Sequence, residues 1–318
     1  MNVKSSENRV AVKNGTSQAR AVPGLFSVII PTLNEGTKLA MTTNSILSAT
    51  RYPNYEIIVV DDGSTDGSTD FYERYPNERI NLVKTSGCGV ARARNLGADH
   101  ARGKFLVFLD AHCRVSPNWL DDFAAMLSAP DVAVAGPSFT KLETPNPRGC
   151  GMYWADWSLD QHWFEPVEGV GAYEVPLTTG ACQAFRRDAF FALGRYDDDF
   201  TRWGSEDVEI CLRAWLLGGR VVVNPSITIA HYFRESRNYE VDDADITFNF
   251  LRMLTLHFSM PRVARIIKAL DGNPFVKQAQ QRLKESNVYD LRAELEAVRV
   301  YDDSWFFENV NVALHQAA

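Results

Sequence analysis

Short hydrophobic runs alternate with amphipathic segments through the first half of the chain. Runs rich in β-branched or aliphatic residues predict buried strands at 25–30, 56–60, 79–83, 104–109 and 131–135. Helical spacing and start signals predict helices at 35–49, 89–101 and 117–128. Strands that alternate with helices are typical of a mostly parallel sheet with right-handed crossovers and helices on its faces. The pattern therefore predicts an α/β, Rossmann-like core.

The second half of the chain is less regular. Residues 149–174 are rich in aromatic residues and have few strand signals, and we expect this segment to form a mobile flap. A helix is predicted at 206–217 and a strand at 220–223, followed beyond about 240 only by helical patterns. We therefore expect a flexible leader at 1–24, an α/β domain at 25–240 and a helical C-terminal extension at 241–318.

Composition limits the classes of partner. The net charge of −7 argues against a nucleic acid as the main ligand, because nucleic-acid binders usually carry a basic surface. The five cysteines are scattered without zinc-like spacing, which indicates reduced thiols, and the polar N-terminus has no apolar signal segment. No run approaches the ~20 apolar residues of a membrane span. We expect a cytoplasmic protein; peripheral membrane contact and an oligomer through the extension stay open.

The run 105–109 delivers Asp110 and His112 to the end of a predicted buried strand. In an open α/β sheet, ligands bind at the carboxyl ends of the strands. Carboxylate oxygen and imidazole nitrogen both bind divalent first-row metals, so the Asp-x-His pair is suited to hold a cation.

Two other predicted strands also end in polar residues. Pro31 and Thr32 end the first strand, and backbone groups at such a turn are free to bind a ligand, although an ordinary βα loop has the same pattern. Asp61 and Asp62 end the second strand and precede Gly-Ser. The second carboxylate suits the N3–H of uracil, while the same residues are also usual in a solvated turn.

A predicted helix begins with two arginines close together, Arg92 and Arg94. An arginine near a helix N-terminus can pair with a diphosphate. We expect one of the two, Arg92, to be a solvated surface charge.

Four motifs together resemble family 2 glycosyltransferases of the GT-A fold, in order and in spacing. They are Pro31-Thr32-Leu33-Asn34-Glu35, Val60-Asp61-Asp62-Gly63-Ser64, Ala93-Arg94-Asn95-Leu96-Gly97 and Leu109-Asp110-Ala111-His112. The resemblance implies that Thr32, Glu35 and Asp62 line the nucleoside pocket. It also implies that Arg94 faces the base or phosphates and that Asp110 opens the metal motif. Most relatives have Asp-x-Asp here, whereas polypeptide N-acetylgalactosaminyltransferases have Asp-x-His.

The segment 179–219 resembles a block shared by β-1,4-galactosyltransferases and polypeptide N-acetylgalactosaminyltransferases. In the galactosyltransferase pattern the block ends in Glu-Asp and the Asp is the base of an inverting reaction. The resemblance therefore implies inversion with Asp207 as general base and Glu206 holding a hydroxyl, although acidic residues in a first helical turn also stabilise a helix without catalysis. It further implies that His231 completes a metal site with Asp110 and His112.

The sequence thus predicts a metal-dependent inverting glycosyltransferase that moves a hexose or N-acetylhexosamine from a UDP-sugar to a hydroxyl of a carbohydrate or peptide acceptor. Mixed carboxylate and imidazole ligands favour Mn²⁺ over Mg²⁺. The residues expected to bind the nucleotide sugar are Pro31, Thr32, Glu35, Asp62, Ser64, Arg94, Asp110, Ala111, Gly180 and Trp203. Three alternatives stay open: a retaining enzyme like the polypeptide N-acetylgalactosaminyltransferases, a nucleotidyltransferase, and a non-catalytic binding module.

Overall fold

The computed structural model describes residues 21–144, 147–167, 169–234, 241–270 and 272–312. Most of the predicted leader, residues 1–20, lies outside the described residues, as does the end of the extension, 313–318. The first strand begins at Val22, within the segment expected to be a leader.

A parallel block forms one half of the main sheet. Its strands are β1 (Val22–Thr32), β2 (Tyr55–Asp61), β3 (Ile80–Lys84) and β4 (Gly103–Leu109). The order β4-β1-β2-β3 is parallel throughout, with Val28 between Ile57 and Val107. β2 and β4 are almost fully buried, as expected for central parallel strands, whereas β3 at the edge of the sheet has no fully buried residue. The predicted strands of this half are confirmed to within a few residues.

The other half of the sheet mixes parallel and antiparallel pairs. Its strands are β5 (Cys113–Val115), β6 (Val132–Lys141), β7 (Pro147–Cys150), β10 (Tyr173–Glu174), β11 (Cys182–Arg186) and β12 (Arg220–His231), and a separate ribbon joins β8 (Met152–Trp154) to β9 (Gln161–Trp163). β11 lies antiparallel between β4 and β6, and β12 runs parallel to β6. β12 extends well past the predicted 220–223, because its register shifts between Asn224 and Thr228 and pairing then resumes.

Helices connect and cover the strands. Those of the α/β part are α1 (Thr37–Ala49), α2 (Asp70–Arg74), α3 (Val90–His100), α4 (Trp119–Met126), α5 (Arg187–Ala192) and α6 (Glu206–Leu216). α3 packs very closely on the sheet: a Cβ at Gly97 would lie 2.3 Å from Ile29 Cγ2. The small residue therefore fixes the distance between α3 and β1, and with it the position of Arg94.

The extension consists of helices, as predicted, and packs on the α/β part. They are α7 (Asp243–His257), α8 (Met260–Ala269), α9 (Val276–Glu285), α10 (Val288–Val298) and α11 (Asp303–Asn309). Trp154 is fully buried with its ring against Phe258, Phe306 and Phe307 of the extension. One hydrophobic cluster runs from the sheet into these helices.

None of the helices in the described ranges is long and apolar enough to cross a bilayer.

Candidate functional site

A cavity of about 920 Å³ opens at the carboxyl ends of β1, β2 and β4. Most of the residues that the sequence singled out line it. They are Pro31, Thr32, Glu35, Asp62, Arg94, Asp110, Ala111, His112, Trp203 and His231. Four others, Ser64, Gly180, Glu206 and Asp207, are not among the lining residues.

Asp110, His112 and His231 converge on one wall of the cavity. Their ligand atoms all lie within 4.8 Å of one another, and His231 Nε2 is 3.3 Å from Asp110 Oδ2. β4 ends immediately before Asp110, and the short strand β5 pairs antiparallel with the end of β12, so that His231 lies opposite Cys113. This pairing brings together ligands that are more than a hundred residues apart in sequence.

The protonation states of Asp110 and His231 suit a cation. Burial opposes the charge on Asp110, but the hydrogen bond with His231 and the nearby imidazoles and Arg94 lower its pKa to about 2. Burial lowers the pKa of His231, which favours the neutral imidazole. A carboxylate and a neutral imidazole are the forms that bind metal. The donor set therefore fits a divalent ion such as Mn²⁺.

Glu35 occupies a different place from the one predicted. It borders the cavity, but its Oε1 lies 3.2 Å from His112 Nδ1 and its Oε2 pairs with the Arg234 guanidinium. The carboxylate is buried behind a candidate metal ligand. Glu35 thus contacts His112 from the border of the cavity, and its contact with the nucleoside stays a prediction.

Asp62 and Thr32 lie together at the other end of the cavity. The Asp62 carboxylate accepts hydrogen bonds from the backbone N–H groups of Cys88, at 2.7 Å, and Gly89, at 2.9 Å. The buried Thr32 Oγ1 has no hydrogen-bond partner within the described part of the chain. A carboxylate with a remaining lone pair beside an unpaired hydroxyl can read the imide edge of a base.

Ser64 supports this end from outside the cavity. Its hydroxyl accepts a hydrogen bond from the Asn34 N–H at 3.0 Å, and its own N–H donates to Asp61 Oδ1 at 2.8 Å. The Ser64 side chain thus joins the β1 and β2 loops, and its contact with the nucleotide stays a prediction.

Arg94 lies between the candidate metal ligand Asp110 and helix α6 and contacts both. The buried guanidinium donates to Glu206 Oε1 at 2.7 Å and to the Gly180 carbonyl at 2.9 Å, and it lies 3.5 Å from Asp110 Oδ1. Arg92, expected to be a solvated charge, is half-exposed, and its Nε donates to the Asp198 carbonyl at 2.6 Å.

The two predicted catalytic carboxylates are already engaged. Glu206 is buried and accepts from Arg94 and from the Gly204 N–H at 2.9 Å, and its contact with a sugar or acceptor hydroxyl stays a prediction. Asp207 Oδ2 accepts from the Gly180 N–H at 2.7 Å, which makes Gly180 a partner of Asp207 and not a lining residue. Burial and the negative charge of Glu206 raise the pKa of Asp207 to about 6.

Several lining residues were not predicted. The cavity also includes Cys88, Arg202, Tyr232, Arg234 and, from α7 of the extension, Asp245. Arg234 follows His231 closely in a motif that the sequence displays, whereas no local pattern points to Asp245.

The aromatic segment 149–174 contributes no lining residue within the described part of the chain, and its Trp157 packs against Phe307. Closure of this segment over the donor stays a prediction.

Comparison with known proteins identifies two family models that match this chain. The model described as glycosyl transferase family 2 matches residues 27–194, and the model described as the N-terminal domain of galactosyltransferase matches residues 171–236.

Curated relatives agree with these matches. Polypeptide N-acetylgalactosaminyltransferase 11 of Xenopus tropicalis is 32% identical over 238 residues, which cover 68% of this chain and 39% of the relative. Polypeptide N-acetylgalactosaminyltransferase 14 of Homo sapiens is 29% identical over 309 residues, which cover 89% of this chain and 53% of the relative. The chain thus spans only 39% and 53% of the length of these two relatives.

Solved structures have the same fold. The GalNAc-T7 structure with UDP, GalNAc and Mn²⁺ superposes with a TM-score of 0.77 at 24% identity, over 91% of this chain and 56% of that one. The mannosyltransferase PcManGT of Pyrobaculum calidifontis, with GDP-Man and Mn²⁺, gives a TM-score of 0.53 at 20% identity, over 96% and 89%. The predicted GT-A fold is confirmed.

Proposed function

Because the chain belongs to glycosyl transferase family 2, we propose that it transfers N-acetylgalactosamine from its UDP donor to a peptide hydroxyl with retention of configuration. The observation that carries the proposal is the convergence of Asp110, His112 and His231 in the cavity that also holds Asp62. The Asp-x-His form of this motif and the identity of the curated relatives favour the N-acetylgalactosaminyltransferase type over nucleotidyl transfer.

The two ends of the cavity suit the two ends of a nucleoside diphosphate. Asp62 and Thr32 would bind the uracil edge, while Arg234 and Arg202 add positive charge to the cavity wall. The span between Asp62 and the triad would hold the diphosphate. Asp110, His112 and His231 would hold the metal, and a bound divalent cation supplies charge that stabilises the diphosphate leaving group.

The pairing of the acidic side chains supports retention. An inverting reaction needs a carboxylate base that faces the acceptor hydroxyl, on the side of the sugar opposite the phosphate. Of the described carboxylates that line the cavity, Asp110 belongs to the triad and Asp62 accepts two backbone hydrogen bonds. Glu35 pairs with Arg234, and Asp245 pairs with Arg282 at 2.9 Å. In a retaining reaction the acceptor attacks from the phosphate side, so the departing phosphate oxygen can take the hydroxyl proton and no such base is needed.

Inversion with Asp207 as base is the second candidate. Its support is the pKa of about 6, which suits a general base at neutral pH, and the match to the galactosyltransferase domain model. It requires Asp207 to give up its bond from the Gly180 N–H and turn towards the cavity.

The test is to incubate the purified chain with Mn²⁺, a panel of UDP-sugars and a serine- and threonine-containing peptide, and to read the product by NMR. We expect an α-linked N-acetylgalactosaminyl peptide from the α-linked donor. A β-linked product would establish inversion. Absence of both transfer and donor hydrolysis for every UDP-sugar would overturn the enzymatic proposal and leave a binding module.

Cytoplasmic location and an oligomer formed through 241–318 stay predictions.

A further inference from the structure

The loop of residues 197–205, here called the Trp203 loop, forms one side of the cavity. Phe200, Thr201, Arg202 and Trp203 line the cavity, and Trp203 is 39% exposed. The Arg202 carbonyl accepts a hydrogen bond from the Val90 N–H at 2.9 Å, so the loop contacts the first turn of α3. That turn carries Gly89, whose N–H donates to Asp62. The position of the loop therefore bears directly on the nucleoside end of the cavity.

The backbone of the Trp203 loop adopts conformations that it would not hold by itself. Arg202 and Ser205 have φ values of 52° and 71°, in the left-handed region that residues with a Cβ seldom occupy. Such conformations persist where the surroundings impose them.

Asn249 of α7 supplies the most direct contacts. Its side chain is fully buried, and its Oδ1 accepts from the Thr201 N–H at 2.8 Å. Its Nδ2 donates to the Thr201 carbonyl at 2.8 Å and to the Trp203 carbonyl at 3.1 Å. One amide side chain thus forms hydrogen bonds with three backbone groups of the loop.

Arg252, one turn further along α7, holds the start of the loop. Its guanidinium donates to both oxygens of Asp197, at 2.7 and 3.1 Å, and lies 3.1 Å from Asp199 Oδ2. On its other side it donates to Asn287 Oδ1, at 2.9 Å, in the segment before α10. The buried arginine therefore ties the loop to two elements of the extension.

We propose that the helical extension is a positioning element of the donor site, in which Asn249 and Arg252 hold the Trp203 loop against the N-terminal turn of α3. This inference rests on the proposed function, since it assigns the extension a role in binding the UDP donor. Neither residue lines the cavity, so both act through the loop. The proposed role depends on these particular bonds to the loop. A folded extension without them would not be enough.

Asn249→Ala tests the proposal through the loop itself. Hydrogen–deuterium exchange of the Thr201 amide should accelerate by at least ~10-fold, because its acceptor is lost, while amides of β1 and β4 keep their rates. UDP affinity in the presence of Mn²⁺ should fall by about 10-fold and donor KM should rise with it, with a smaller change in kcat. Asn249→Asp keeps the acceptor for the Thr201 N–H but loses the two donated bonds. In this variant the Thr201 exchange rate should lie closer to its wild-type value than the UDP affinity does.

Arg292→Ala is the matched control. Arg292 also lies in the extension and donates to two backbone carbonyls, those of Thr255 and Phe258, and it pairs with Glu296; none of these described partners belongs to the Trp203 loop. It should lower thermal stability and leave UDP affinity and Thr201 exchange as in the wild type. If Asn249→Ala keeps wild-type UDP affinity, or if Arg292→Ala lowers it equally, the positioning role is overturned. A wild-type chain that binds no UDP would instead refute the proposed function, while Thr201 exchange would still report whether Asn249 holds the loop.

Discussion

The Glu35 carboxylate lies directly behind His112, with 3.2 Å between Glu35 Oε1 and His112 Nδ1. This leaves His112 Nε2 on the side of Asp110, at 3.8 Å from its Oδ2. A carboxylate that accepts the second ring N–H of a metal-binding histidine fixes its tautomer and orientation and raises its basicity. The relationship extends the candidate metal centre from three side chains to four.

Replacing Glu35 should therefore weaken metal binding without removing a ligand. We expect Glu35→Gln to lower Mn²⁺ affinity by about 10- to 100-fold, the usual effect of losing such a partner. Titration calorimetry or Mn²⁺ EPR on the nucleotide-free chain measures it. Glu56→Gln is the control, because Glu56 pairs with Arg102 and is not among the residues that line the cavity. Unchanged Mn²⁺ affinity in Glu35→Gln would refute the assigned role.

Loss of either histidine ligand should have a larger effect. We expect His112→Ala and His231→Ala each to abolish Mn²⁺-dependent UDP binding, because these side chains would hold the cation whose charge would stabilise the bound diphosphate. Fluorescence or calorimetric titration with UDP, with and without Mn²⁺, checks this. His162→Ala, at an exposed histidine that pairs with Asp160, should bind as the wild type does. Full Mn²⁺-dependent binding in either ligand variant would show that the metal site lies elsewhere.

The kinetics of Asp207→Asn separate the two proposed stereochemical courses. With retention, we expect the variant to keep UDP and Mn²⁺ binding and to lose less than about 10-fold in kcat, because Asn can still accept from the Gly180 N–H. With Asp207 as general base, kcat should fall by ~10²–10⁴-fold. Steady-state rates at saturating donor decide between them, and a loss in the larger range would favour inversion.

The same variant should change how stability depends on pH. The pKa of Asp207, about 6 in the folded chain, lies above its ordinary value of 3.8, so the folded state binds the proton more tightly than the unfolded state. Stability contributed by this group is therefore lost as pH rises from about 4 to about 6. Relative to the wild type, Asp207→Asn should gain up to about 3 kcal/mol in unfolding free energy over that range, at about 1.4 kcal/mol per pKa unit. Denaturant unfolding at pH 4 and pH 7 measures the difference, and an equal effect at both would contradict it.

Glu209 should show the opposite dependence. Burial opposes its charge, but Arg213 at 2.5 Å and the hydrogen bond with His257 at 2.6 Å lower its pKa from 4.5 to about 2. The stability that it contributes is present above pH 4.5 and is lost as pH falls towards 2.

Glu209→Gln should consequently lower the unfolding free energy by about 3–5 kcal/mol at pH 7, since it leaves Arg213 buried without a charged partner. The loss should shrink below pH 4.5. Glu296→Gln, at an ion pair with Arg292 in which the Glu296 side chain is exposed, should cost less than about 1 kcal/mol. Denaturant unfolding at pH 7 and pH 3 tests both, and similar losses for the two variants would contradict the role of Glu209.

Local patterns in the sequence determined the parallel half of the sheet, the helices of the extension and the residues that end β1, β2 and β4. Alternation and strand-end position are properties of neighbouring residues, so they can be identified without knowing the fold. That is why Thr32, Asp62, Asp110 and His112 were predicted and all lie in one cavity.

Only the tertiary structure decided which of these side chains face the cavity and which bond one another. Glu35 turns to His112, Ser64 to Asn34, and Glu206 to Arg94. The pairing of β5 with β12 brings His231 to Asp110, and α7 holds the Trp203 loop. Each of these contacts depends on strand register or helix packing between residues distant in sequence, and side-chain direction is set by that packing and not by the local pattern.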